Sequence, residues 1–339
     1  MTPFAHRLAA WQAQYGRNHL PWQGNDPYRV WLSEIMLQQT QVATVLQYYP
    51  RFLARFPDVE SLAAAADDDV LALWSGLGYY SRARNLHHAA RQIMDEHGGQ
   101  FPRDRAGLET LKGVGRSTAA AIAVFAFGQK EAILDGNVKR LLARHAGIYG
   151  ATGQPATLAA LWAEAEARLP DDAATLRRYT QGLMDLGNGI CTRTRPRCGE
   201  CPVAADCYAY RHDATAALPE KRAKKPNPER HTVMLLARCG DRLHLYRRPD
   251  RGIWRGLWSL PEYDSIAAAE TAAQTLGAIT ARATLPAITH KFTHYTLHIA
   301  PFAVTIAAPA RAADWLPQQE ALAKGLPAPV RRLIDDHFC

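Results

Sequence analysis

The chain has 339 residues, enough for two ordinary domains with full cores, and 47% hydrophobic against 21% charged residues mark it as ordered and globular. A formal net charge of +8 biases it toward acidic partners. The opening MTPFAHRLAAWQAQYG has no apolar core of a secretory signal, and the longest apolar run, Ala119 to Phe127, is too short to span a bilayer, so a soluble protein of a reducing compartment is expected.

Residues 1 to about 212 read as all-helical. Asn25-Asp26-Pro27 is a helix start, an Asx cap followed by proline at the first helical position, and Trp31, Ile35, Val42, Leu46 and Tyr49 then mark one face. Loops fall at Phe56-Pro57, Gly76-Leu77-Gly78, His97-Gly98-Gly99, Gly113-Val114-Gly115 and Leu134-Asp135-Gly136. From 213 to 230 the composition turns basic and proline-containing, with Lys221, Arg222, Lys224 and Lys225, which reads as an interdomain linker. Beyond it, HTVMLLAR, DRLHLYRR and THYTLHIAPFAVTI read as strands, interrupted by an alanine-rich helix near 266–276 and closed by another helix. Residues 231–339 are therefore expected to form an α+β domain.

Four of the six cysteines, Cys191, Cys198, Cys201 and Cys207, stand in a Cys-x6-Cys-x2-Cys-x5-Cys pattern. Four thiolates in one short loop are what a structural zinc or an iron–sulfur cluster needs, and the spacing alone leaves both open. Arg193, Arg195 and Arg197 lie in the same loop, suited to a polyanion. Cys239 and Cys339 are left over and read as inert. LKGVGRSTAAAI (111–122) reads as helix, Gly-x-Gly turn, helix, with backbone amides of the second helix offered to a phosphate. Glu34, among Trp31, Ile35 and Leu37, is placed to be a desolvated carboxylic acid with a raised pKa. Asp135 precedes Gly136-Asn137 at a helix start: it can serve as a simple N-cap or as an anion facing a cationic sugar.

The cysteine spacing resembles the iron–sulfur loop of the endonuclease III superfamily, which implies a [4Fe–4S] cluster. The glycine turn resembles a helix-hairpin-helix DNA-binding element, with Lys112 where many members have proline. WLSEIMLQQTQVATV, GLGYYSRARNL, GVGRSTAAAI, ILDGNVKRLLAR and MDLGNGICTRTRPRCGECP together resemble MutY-type adenine DNA glycosylases, over the whole chain in order. The fold this implies is an all-α helix-hairpin-helix glycosylase domain at 1–212 and a Nudix-like α+β domain at 231–339. The implied substrate is double-stranded DNA with adenine opposite 8-oxoguanine or guanine, acted on by a monomer in the cytoplasm, at the nucleoid.

The resemblance also assigns roles. Glu34 becomes the general acid, Asp135 the stabiliser of the sugar cation, and Asn137 an orienting group. Trp22, Leu37, Gln181 and Met184 match the adenine pocket. Ser117 occupies the position where bifunctional relatives carry a Schiff-base lysine and many MutY relatives a tyrosine, which implies a monofunctional glycosylase. Gln39, Thr40, Leu77 and Tyr79 match positions that enter the duplex, with Gly113 and Gly115 at the backbone. Phe292, Thr293 and His294 match the family's Phe-Ser-His reader of 8-oxoguanine. GIWRGLWSLPE resembles the segment before a Nudix helix, but Glu270 stands alone where a metal-binding glutamate cluster is needed, so recognition without pyrophosphatase activity is expected. Trp254, Trp258 and Trp315 read as core or interface residues. Two alternatives stand beside this reading: an endonuclease III-like lyase, and a non-catalytic iron–sulfur DNA-binding module.

Overall fold

The structure is a computed structural model that describes residues 2–220, 226–311 and 315–338. Lys221, Arg222, Lys224 and Lys225 of the basic tract, and Cys339, lie outside the described residues. Among the described residues twelve α-helices come first: α1 Phe4–Tyr15, α2 Pro27–Leu37, α3 Val42–Arg55, α4 Val59–Ala63, α5 Asp67–Leu73, α6 Ser81–His97, α7 Arg105–Thr110, α8 Arg116–Phe127, α9 Gly136–Ala146, α10 Pro155–Ala167, α11 Ala173–Gly189 and α12 Tyr208–Arg211. No helix among the described residues is long and apolar enough to cross a membrane.

Capping explains several boundaries. Asp26 accepts from the Arg29 amide with Pro27 at the first turn, as the sequence predicts. Asp104, Asp135 and Asp172 cap α7, α9 and α11 in the same way. The continuous face expected from Trp31 to Tyr49 is a correction: the helix stops at Leu37, Gln39 takes φ 56°, and a new helix begins at Val42. Trp31, Ile35 and Tyr49 are buried, whereas Leu46 points outward. Helix α8 is apolar nearly all round, with Ala119 to Val124 buried, so it is the central helix, packed against α2, α7 and α11. At Gly182 of α11 a Cβ would come within 2.9 Å of Leu8 Cγ, so glycine there lets α1 and α11 approach closely.

The strands are β1 Glu229–Cys239, β2 Arg242–His244, β3 Tyr246–Arg247, β4 Trp258–Ser259, β5 Glu262–Tyr263, β6 Ile279–Thr284, β7 Ile288–Lys291, β8 Thr296–Ile306 and β9 Trp315–Pro317. Helices α13 Ile266–Leu276, α14 Gln318–Ala323 and α15 Ala328–Phe338 complete the chain. The main sheet runs β6-β8-β1-β2-β9, with β5 added to β1 and β7 to β8, and β3 pairs separately with β4. The tract expected as one strand at DRLHLYRR is therefore two short strands in different sheets. β1 and β8 are parallel and central, and Val233 to Ala237 are buried in a row, as a strand covered on both faces requires. One face packs Val233, Leu235, Phe302 and Val304 beneath Ala269 and Ala273 of α13. Trp254 and Trp315 are buried, and Trp258 is half-buried.

By packing, the chain forms two compact units: the segments before Ala64 with those from His88 to the linker, and Ala64–His87 with the chain beyond the linker. Residues 64–87 are tied into the second unit by Tyr80 Oη donating to the Leu326 carbonyl (2.6 Å) and Trp258 Nε1 donating to Asp68 (3.3 Å).

Candidate active site and cluster loop

In the helical unit a cavity of about 210 Å³ is lined by Trp22, Glu34, Leu37, Gln181 and Met184, so the acid and the four expected pocket residues share one space. Glu34 sits on the buried stretch of α2 with its carboxyl at the cavity wall. Burial, with the Asp135 carboxylate as a smaller contribution, pushes its pKa up to about 8. Asp135 does not line the cavity but lies within electrostatic reach of Glu34. Its Oδ1 accepts from the Asn137 and Val138 amides, both at 2.8 Å, so among the described residues these bonds fall on one carboxylate oxygen.

Ser117 also lies outside the cavity lining: its Oγ accepts from the Leu134 amide (2.9 Å), tying the first turn of α8 to the segment that carries Asp135. Gln39 and Thr40 occupy the α2–α3 turn, where Thr40 Oγ1 lies 3.5 Å from the Gln38 carbonyl. Gly113 (φ 82°) makes the tight turn before α8, Gly115 caps that helix, and the Gly113 carbonyl accepts from Gln38 Nε2 at 3.4 Å. In the second unit Tyr79 is exposed with φ 47° and Arg82 against its ring, whereas Leu77 is buried and not presented at the surface. Phe292 packs on Trp254 and Tyr295, while Thr293 and His294 stand exposed at the β7–β8 turn.

Sequence reasoning missed the residues that hold these groups. Asp185, buried, accepts from Arg17 Nε (2.6 Å), the Arg17 amide (3.0 Å) and Gln181 Nε2 (2.9 Å), which fixes Gln181 at the cavity. Arg140 donates to the Asn137 side chain (3.0 Å), the Gly187 carbonyl (2.5 Å) and the Cys191 carbonyl (2.8 Å). Arg144, 3% exposed, donates to the carbonyls of Leu218, Thr192 and Arg193 and reaches Cys191 Sγ at 3.5 Å. Their four-residue spacing on α9 is the only sequence signal, and it does not reveal what they face.

Cys191, Cys198, Cys201 and Cys207 are unpaired thiols lining one small apolar cavity with Leu141, Ile190 and Val203. Burial, then the other three sulfurs, pushes Cys201 up to about 12, so deprotonating the set needs a cationic core to offset mutual repulsion. Four thiol side chains around one apolar cavity are a donor set that fits a [4Fe–4S] cluster. Arg193 and Arg195 are exposed on this loop, and Arg197 pairs with Glu200 at 2.9 Å.

Comparison with known proteins agrees with this geometry. Residues 32–166 match the HhH-GPD superfamily base excision DNA repair proteins, 191–207 the iron–sulfur binding domain of endonuclease III, and 232–336 the NUDIX domain. The chain is 34% identical to an adenine DNA glycosylase of Buchnera aphidicola (subsp. Schizaphis graminum), with 98% of each chain covered. It is also 34% identical to the human adenine DNA glycosylase over 77% of this chain and 57% of that one. Among solved structures a thermostable thymine-DNA glycosylase shares the helical fold with TM-score 0.56 and 29% identity, covering 62% of this chain and 95% of that one. An endonuclease III–DNA complex does so at 0.51 and 21%, covering 61% and 94%. With the helical site, the cluster loop and the strand-rich domain matched in order and along nearly the full length, the chain belongs to the adenine DNA glycosylase family.

Proposed function

We propose that the protein hydrolyses the N-glycosidic bond of adenine mispaired with 8-oxoguanine or guanine in duplex DNA and, having no Schiff-base amine at Ser117, leaves the strand intact. The observation that carries this reading is Glu34, an acid with its pKa near 8, at the wall of a cavity lined by Trp22, Leu37, Gln181 and Met184. The target nucleotide has to be flipped out of the stack to reach it, at a cost of a few kcal/mol. Glu34 gives its proton to adenine N7, and the bond from N9 to the anomeric carbon breaks with its electron pair leaving on the base. Asp135, its Oδ1 held by two amides, turns its other oxygen to the sugar cation. Asn137, held by Arg140, orients the water that adds to the anomeric carbon, and the proton the water releases returns to the Glu34 carboxylate. Bound by the four cysteines, the cluster supplies a covalent clip that orders the arginine-bearing loop.

In the same reading Gln39, Thr40 and Tyr79 enter the duplex, Gly113 and Gly115 present backbone to phosphate, and Phe292, Thr293 and His294 read the oxidised base. Leu77, buried here, needs a rearrangement to take part. Along the sequence the domains divide at 212 and 230, although residues 64–87 pack with the second unit; the protein acts as a monomer, and the Nudix-like domain recognises without cleaving pyrophosphate, its Glu270 being engaged by Arg282. The test is one duplex set, with adenine opposite 8-oxoguanine or guanine and oxidised pyrimidine opposite its partner, scored with and without alkali. Strand breaks at adenine only after alkali are expected. Breaks without alkali, or preference for the pyrimidine, would overturn the reading in favour of an endonuclease III-like lyase.

A further inference from the structure

We propose that Glu229, His231 and His298 form a binding site for one divalent transition-metal ion, of which zinc is the probe, on the strand-rich unit. Their ligand atoms all lie within 4.8 Å of one another. The arrangement follows from strand register. His231 of β1 and His298 of β8 are direct partners in the parallel ladder, and Glu229, two residues before His231, points to the same face. The two imidazoles therefore stack, with centroids 4.8 Å apart and planes 17° from parallel.

His298 offers the best-placed donor atom of the three. Its Nε2 is buried and makes no hydrogen bond among the described residues, while the nearest carboxylate oxygen, Glu229 Oε2, is 3.6 Å away, beyond hydrogen-bond reach. On its far side Nδ1 faces Thr289 Oγ1 at 3.3 Å. A hydroxyl accepting from Nδ1–H there fixes the tautomer that aims a lone pair from Nε2 into the cluster, the outer support metal-bound histidines usually have.

Two imidazoles and one carboxylate suit zinc, nickel, cobalt or copper rather than magnesium or calcium, which take oxygen ligands. Zinc–nitrogen bonds of about 2.0–2.1 Å need the donors closer than they now stand. Glu229 and His231 are exposed and can close by side-chain rotation, while His298 is the anchored member. The face is the one that packs beneath α13 farther along β1, so the site lies where the strand emerges from that cover. Lys291 of β7 and Glu229 of β1 both pair in register with Thr296 of β8, which places one cation on a strand beside the site. Occupied, the site would pin the first turnout of β1 onto β8, just after the linker.

The experiment uses the iron-loaded full-length protein, freed of loose divalent ions and dialysed against micromolar zinc, with zinc and iron counted by mass spectrometry. One zinc per chain with unchanged iron is expected. His298→Ala and His231→Ala should each weaken uptake roughly tenfold or more, and Glu229→Gln should weaken it too. In the unmutated protein zinc should protect His231 and His298 from diethylpyrocarbonate, a readout independent of variant folding. Equal uptake by the unmutated protein and the double histidine variant overturns the proposal. So does zinc gained only as iron is lost, or no uptake at all.

Discussion

At Glu34 the burial that makes a proton donor also weakens the fold. Its pKa rises from 4.5 to about 8, so between those values the folded protein holds a proton that the unfolded chain releases. Stability is therefore full below about pH 4.5 and is lost progressively as pH rises toward about 8. Glu34→Gln keeps the shape and removes the titration. It should lower excision by about 10²–10⁴-fold while raising the melting temperature, and the gain should be larger at pH 8 than at pH 5. A melting difference independent of pH would show that the carboxyl is solvated. Excision by the unmutated protein should decline as pH passes about 8, measured as single-turnover base release. At the proposed lesion reader Thr293 and His294 are exposed at the β7–β8 turn, so replacing both by alanine should leave melting nearly unchanged. The ratio of rates on adenine opposite 8-oxoguanine to adenine opposite guanine should fall, and equal loss on both duplexes would sink that assignment.

Among the elements, the approach of α9 to α11 is what fixes Asp135, because the capping carboxylate travels with the start of α9. Gly187 permits that approach: a Cβ there would stand 2.9 Å from Asn137 Cβ and 3.4 Å from its carbonyl carbon. Gly187→Ala must push the start of α9 away by a few tenths of an ångström and disturb the Arg140 bonds to Asn137 and the Gly187 carbonyl. Excision should fall about tenfold or more, against a stability loss of about 1–3 kcal/mol read by denaturant titration. Unchanged excision would mean that Asp135 tolerates displacement. Local chemistry made some of these elements legible and not others. The Asp26-Pro27 start and the Asp135 cap are written in neighbouring residues, so both could be read directly. The break at Gln39 could not, since a seven-residue step from Ile35 to Val42 suits one continuous helix as well as two.

For the molecule as a whole, what the sequence could not reveal is long-range. That residues 64–87 pack with the chain beyond the linker depends on pairs such as Asp68 with Trp258, 190 positions apart, and no periodicity encodes them. The same holds for Arg144, whose guanidinium donates to the carbonyls of Thr192, Arg193 and Leu218, roughly fifty to seventy residues further on. The cluster loop lies between these cases: its cysteines announce a metal centre, their spacing alone leaves zinc and a cluster both open, and the match to the iron–sulfur binding domain of endonuclease III argues for the cluster. Its energetic place follows from the packing. Among the described residues, a core that joins α1, α8, α9, α10 and α11 takes little from the loop beyond Val203 and the partly buried Cys191 and Cys201. Removing iron should therefore spare the helices and disorder the loop, since only side-chain bonds such as those of Arg140 and Arg144 to its first carbonyls would be left to hold it. Far-ultraviolet dichroism should change little after oxidative iron release, while affinity for duplex DNA should drop and its salt dependence flatten as Arg193 and Arg195 lose their fixed positions. Collapse of the helical signal together with the iron would instead make the cluster a condition of folding, as in small metal-nucleated domains.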